Sequence, residues 1–85
     1  MSAAPITWQK GGEAELLILD GDRITLRSTI PSAPGSRPEA ALRSGAGFRV
    51  KVARCRREEA GFVIEGRLID TVRAVRLELE ALLPS

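Results

Sequence analysis

The sequence contains no histidine and no tyrosine, a single cysteine and very few aromatic residues. Histidine is the commonest general base and a frequent metal ligand, so its absence removes the Ser-His and Cys-His dyads and imidazole metal sites. The lone Cys55 excludes an internal disulfide and fits a reducing compartment. We therefore expect a protein that is not an enzyme, with no metal site and no cofactor.

Long hydrophobic runs are also missing. No stretch approaches the ~20 consecutive apolar residues of a membrane-spanning helix, and the first residues, MSAAPITWQKGG, lack the apolar segment of a signal peptide. These features predict a cytoplasmic protein without membrane insertion.

What the chain does contain is ordinary globular composition. Its 85 residues are 44% hydrophobic and 28% charged, which predicts one domain over 1–85 with a small core. The formal net charge is +2, a mild excess. Nucleic-acid binding is disfavoured, because Trp8, Phe48 and Phe62 are the only aromatics that could stack on bases.

Apolar and charged residues alternate most clearly around a predicted hairpin. Phe48, Val50 and Val52 alternate with Arg49 and Lys51, the period of a half-buried strand. A polar turn with glycine, EEAG, follows and leads into a second alternating run, FVIEGRLI. If this alternation continued unbroken, Arg54 would lie in the core, so we expect a bulge or sharp bend at Ala53-Arg54-Cys55.

The same pattern predicts six strands and one helix. The strands fall at about 6–10, 14–20, 23–30, 37–43, 47–57 and 61–69, separated by turn and loop residues. Over about 71–83 the apolar residues take helical spacing, and Asp70-Thr71 offers a helix cap. We predict a mainly β fold, a small antiparallel β-barrel of five or six strands with a C-terminal α-helix packed against it.

Three polar or reactive features of the sequence each have two possible interpretations. Asp20-Gly21-Asp22 resembles the start of a calcium loop but lacks the remaining ligands, and the flanking strands favour a tight turn. Cys55 beside arginines is either a reactive thiol or a small side chain that fills a strand. Arg54, Arg56 and Arg57 either bind phosphate or form a solvated rim that protects an edge strand from pairing with other chains.

The order of elements resembles the PilZ family of small bacterial β-barrels. The segment PSAPGSRPEAALRSGAGFRVKVARCRREEAGFVIEGRLID is similar to that family's middle and last strands, and the likeness covers about residues 13–83. Many PilZ domains bind cyclic di-GMP through an RxxxR segment and a [DN]xSxxG segment, and neither stands in its expected place here. Lys10 is the only cation ahead of the predicted barrel, and IPSAPG has isoleucine where the motif needs Asp or Asn.

The resemblance implies a degenerate PilZ-like domain that serves as a protein-interaction adaptor in pilus assembly, motility or related signalling. Leu17 and Leu19 on the predicted outer face of the second strand, with Leu77 off the main apolar stripe of the helix, are the predicted apolar contact surface. The alternative for these residues is that a second layer of the domain itself covers them. The alternative is a receptor for cyclic di-GMP or another phosphate ligand that uses Arg54, Arg56, Arg57 and Arg67. The missing motifs disfavour cyclic di-GMP. Self-association through the same apolar surface would give a homo-oligomer.

Overall fold

The computed structural model describes residues 5–83; residues 1–4 and 84–85 of the predicted 1–85 domain lie outside the described residues. Six strands precede one helix. In chain order they are β1 (Ile6–Trp8), β2 (Glu13–Asp20), β3 (Arg23–Ser28), β4 (Glu39–Leu42), β5 (Gly47–Glu58), β6 (Gly61–Ile69) and α1 (Arg73–Ala81).

The strands form a closed antiparallel barrel in the order β1-β2-β3-β6-β5-β4, and β4 returns to β1. The predicted fold class, a small β-barrel with a C-terminal helix, is confirmed. The predicted first, third and fourth strands are longer than the observed ones. After Trp8 the chain turns, with the Gly11 N–H bonded to the Trp8 carbonyl, and β4 begins just after Pro38, which has no N–H to donate to a ladder.

Alternate residues of every strand point inward and fill the barrel. Apart from Val63, the buried apolar side chains of the described residues form one cluster, built from Ile6, Trp8, Ala14, Leu16, Ile24, Leu26, Ala40, Leu42, Phe48, Val50, Val52, Ile64, Leu68, Val75 and Leu79. Ser28 is a buried polar residue beside it, and Trp8 Nε1 donates a hydrogen bond to Ser28 Oγ at 2.8 Å.

Two β-bulges change which side chains face the core. In β5 the register with β6 shifts between Val52 and Arg54, so Ala53 is the extra residue. Arg54 is exposed and Cys55 packs against the core, as the predicted bulge requires. In β2 the register with β3 shifts between Leu16 and Ile18, which makes Leu17 the extra residue.

The helix closes one end of the barrel. Val75 and Leu79 insert into the core cluster, while the opposite side of α1 meets water. Polar contacts also hold the helix to two of the turns between strands. Arg76 Nη1 donates to the Gly21 carbonyl oxygen at 2.6 Å, and Ser44 Oγ donates to the Glu78 carboxylate at 2.8–2.9 Å.

The predicted helix cap is wrong. The N-cap residue is Val72, which makes no side-chain capping bond. The Thr71 hydroxyl instead donates to the Ile69 carbonyl oxygen at 3.3 Å, and Asp70 adopts a left-handed backbone with φ 52°. The chain needs these residues to turn from β6 onto the barrel end, so the helix begins later than the spacing predicts.

Candidate protein-interaction surface

A shallow groove of about 550 Å³ crosses the outer wall of the barrel over β2, β3, β6 and the bulge of β5. Its floor includes Gly66, where a Cβ atom would collide with the Lys51 carbonyl oxygen of the neighbouring strand. The absence of a side chain there lets β5 and β6 approach closely at the bulge. The rest of the lining is Ile18, Asp20, Arg23, Ile24, Thr25, Ala53, Arg54, Glu65 and Arg67.

Ile18 is the exposed apolar residue of this groove, with 56% of its surface accessible. It faces outward because the bulge at Leu17 reverses the alternation of β2. The expectation that Leu17 and Leu19 both lie on the outer face is therefore wrong for Leu19, which packs against the core, and Leu17 is half-buried. The sequence did not predict an exposed Ile18, because four consecutive apolar residues do not show where the alternation of inward-facing and outward-facing side chains is interrupted.

Three cations lie side by side on the outer wall. Arg67 of β6 is in register with Arg23 of β3 on one side and with Lys51 of β5 on the other. All three side chains are exposed. We call Arg23, Arg67 and Lys51 the cationic row. Arg23 and Arg67 line the groove, and Lys51 extends the row beyond it.

Within residues 5–83 one carboxylate is aligned with the cationic row: Asp20 of β2 is in register with Arg23, so the row and its neighbour carry three positive charges and one negative charge. None of the row's side chains forms an ion pair with a described residue. Asp22, the acidic neighbour of Arg23 in the chain, is instead paired with Arg76 of the helix at 2.5 Å. The row therefore presents positive charge to solvent.

Other arginines of the same wall do have carboxylate partners. Arg27 Nη1 lies 2.9 Å from Glu15 Oε1, and Arg49 is hydrogen-bonded to Glu39. The bond to the Glu39 carboxylate raises the pKa of Arg49 further above its ordinary value. These pairs distinguish Arg27 and Arg49 from the cationic row and make them useful comparison positions.

The predicted phosphate-binding arginines are only partly brought together. Arg54 and Arg67 line the same groove. Arg56 lies beside two carboxylates, 3.9 Å from Glu58 and 4.0 Å from Glu65. Arg57 is in register with Phe62, on the opposite side of the hairpin from Arg54 and Arg56. A four-arginine cluster is therefore not formed.

The remaining candidate residues stand apart from the groove. Leu77 is exposed on α1 but is not among the lining residues, and Cys55 is half-buried against the core. Within residues 5–83 no group of three or more acidic or cysteine side chains is placed to hold a metal ion. Over the same residues, no helix has the length and apolar character needed to cross a bilayer.

Comparisons with protein-family models, with curated proteins and with solved structures found no match.

Proposed function

We propose that this protein is a non-catalytic adaptor that binds another protein through the groove on its outer wall. The observation that carries the proposal is Ile18, an exposed aliphatic side chain set in a concave surface beside arginines that form no ion pair with residues 5–83. Protein interfaces combine an apolar centre with a polar rim, and arginine is enriched in them. The groove has this composition on a small scale.

The resemblance to the PilZ family supports a role in bacterial signalling, such as pilus assembly or motility, in the cytoplasm. Family members that lack the cyclic di-GMP motifs act as adaptors, and in this chain neither motif stands in its expected place. Its IPSAPG segment, the nearest approach to one motif, runs beside β5: the Gly35 N–H donates to the Val52 carbonyl at 2.7 Å. Ser32 in that segment is buried, with its hydroxyl 3.4 Å from Lys10 Nζ.

Site-specific photo-crosslinking in the cells that express the protein tests this function. A photoreactive amino acid replaces Ile18, and the control variant carries it at Thr7, which is exposed on β1. We expect a covalent adduct with one protein from position 18 and none from position 7. No adduct, or the same adducts from both positions, would contradict an adaptor role for the groove.

A second candidate function is a receptor for cyclic di-GMP or another phosphate ligand. The placement of Arg54 and Arg67 in one groove favours it, since two guanidinium groups can share a phosphate. Calorimetric titration with cyclic di-GMP at low and high salt tests this candidate. Heat that disappears in an Arg54→Gln/Arg67→Gln variant would support the receptor, and no heat at either salt concentration would end it.

A further inference from the structure

The cationic row and Ile18 together define what kind of partner fits the groove. We propose that they bind an acidic segment of a partner protein, a stretch with two or more Asp or Glu residues beside an aliphatic side chain. This inference rests on the proposed adaptor function and adds the chemical class of the partner.

Electrostatic repulsion within the row is the first argument. Arg23, Arg67 and Lys51 occupy directly opposed positions on three neighbouring strands, and like charges in such positions are destabilising. In the described part of the chain Asp20 is in register with Arg23 without forming an ion pair with it, and Arg67 has a cation in register on each side. A partner carboxylate would replace this repulsion with charge-assisted hydrogen bonds, and arginine can make them in bidentate form.

The spacing of the row matches acidic side chains on regular secondary structure. Neighbouring strands lie about 4.8 Å apart, so the three cations span about 10 Å across the wall. Carboxylates four residues apart on a helix have Cβ atoms about 5–6 Å apart, and those two residues apart on a strand are separated by about 7 Å. An acidic segment of either kind can therefore reach adjacent cations while a neighbouring aliphatic residue contacts Ile18.

The groove fits a peptide better than a nucleic acid. Asp20 and Glu65 line it together with the arginines, so a phosphate backbone, with a charge at every unit, meets repulsion there, whereas a peptide can place neutral residues against these two carboxylates and its own carboxylates against the cationic row. Trp8 and Phe48 are buried in the core, which leaves no aromatic surface for base stacking in the groove. The proposed acidic segment can place an aliphatic side chain against Ile18 and separate carboxylates against the cationic row.

Selection from a displayed random peptide library against the intact protein tests the inference. We expect the selected peptides to be rich in Asp and Glu next to an aliphatic residue. The dissociation constant of one synthetic selected peptide is then measured by fluorescence anisotropy at low and high salt. Affinity is expected to fall as salt rises, because exposed charges are screened.

Two double variants with the same change in net charge separate the row from general electrostatics. Arg23→Gln/Arg67→Gln removes two cations of the row and should raise the dissociation constant about tenfold, from the loss of two exposed ion pairs. Arg27→Gln/Arg49→Gln removes two arginines that are already paired with Glu15 and Glu39. That control should bind nearly as the native protein does.

Thermal unfolding of Arg67→Gln distinguishes a binding role from a structural one. The substitution removes the repulsion of Arg67 with Arg23 on one side and Lys51 on the other, so the midpoint temperature of unfolding should stay the same or rise. A lower midpoint would show that Arg67 supports the fold and would overturn the inference.

The remaining outcomes each decide against the acidic segment. Neutral or basic peptides, equal effects of the two double variants, or no selected peptide would overturn it, whereas the crosslinking from Ile18 decides the adaptor function separately. Tighter binding of an oligonucleotide than of the acidic peptide would assign the row to nucleic acid. A dimer in sedimentation that dissociates in Arg23→Gln/Arg67→Gln would assign it to a second copy of this chain.

Discussion

The hydroxyl of Ser28 joins three parts of the barrel. It accepts a hydrogen bond from Trp8 Nε1 at 2.8 Å and one from the Ile30 N–H at 3.1 Å, and it donates to the Ile30 carbonyl oxygen at 2.7 Å. All of its hydrogen-bonding capacity is therefore used inside the protein. Because Ser28 and Trp8 are both buried, water cannot replace these partners.

Replacing Ser28 with alanine should destabilise the protein by about 1–3 kcal/mol, because the buried indole N–H loses its acceptor. Urea unfolding followed by circular dichroism measures the change. Ser36→Ala is the control, since the Ser36 hydroxyl donates to the Ala33 carbonyl oxygen in an exposed loop. Its effect should stay within about 0.5 kcal/mol. Equal effects of the two changes would show that the Ser28 network is not a source of stability.

At the scale of elements, α1 is held by one narrow apolar face. Leu79 is completely buried, whereas Leu77, two positions earlier, is 54% exposed. Leu79→Ala should cost about 2–5 kcal/mol, because it removes the side chain that fills the end of the barrel. Leu77→Ala should change stability by less than about 0.5 kcal/mol. Thermal or urea unfolding of both variants checks the pair, and a large loss in Leu77→Ala would contradict this packing.

The two bulges show what the sequence can and cannot predict about an element. In β5 an unbroken alternation would bury Arg54, and the cost of burying an unpaired charge predicts a bulge there. In β2 the residues Leu16, Leu17, Ile18 and Leu19 are all apolar, so either register buries aliphatic side chains equally well. The sequence therefore predicts the first bulge and misses the second, and with it the exposed Ile18.

The candidate site depends on pairings that local patterns do not contain. The alternation in β3 and β6 correctly places Arg23 and Arg67 on the outer face of each strand. Their direct opposition arises only because β6, which follows β4 and β5 in the chain, pairs with β3. Turn residues and the periodicity of apolar residues were sufficient to predict that six strands and one helix are present. Predicting the cationic row would also have required the order of the strands in the barrel.

At the scale of the whole molecule, the barrel is closed by its shortest strand. β1 pairs with β2 on one side and with β4 on the other, and Trp8 binds Ser28 of β3 through its indole. Trp8 is the single tryptophan of the chain. Its fluorescence therefore reports whether β1 has joined the barrel.

Refolding should be slow for a chain of this size. The β1–β4 and β3–β6 pairings join residues far apart in sequence, and β folds of this kind refold in about milliseconds to seconds. Stopped-flow experiments should give one rate for Trp8 fluorescence and for circular dichroism if closure is part of a single cooperative step. If Trp8 fluorescence instead reached its native value within microseconds, ahead of the circular dichroism signal, β1 would have joined the barrel before the cooperative step, and the prediction would be contradicted.

The position of β1 also has a consequence during synthesis. β1 leaves the ribosome well before β4, its second partner, leaves it. Throughout that interval Ile6 and Trp8 have no completed interior to occupy. The nascent chain then exposes its apolar side chains on a strand with an unpaired edge, which is where chaperone capture and misassembly begin.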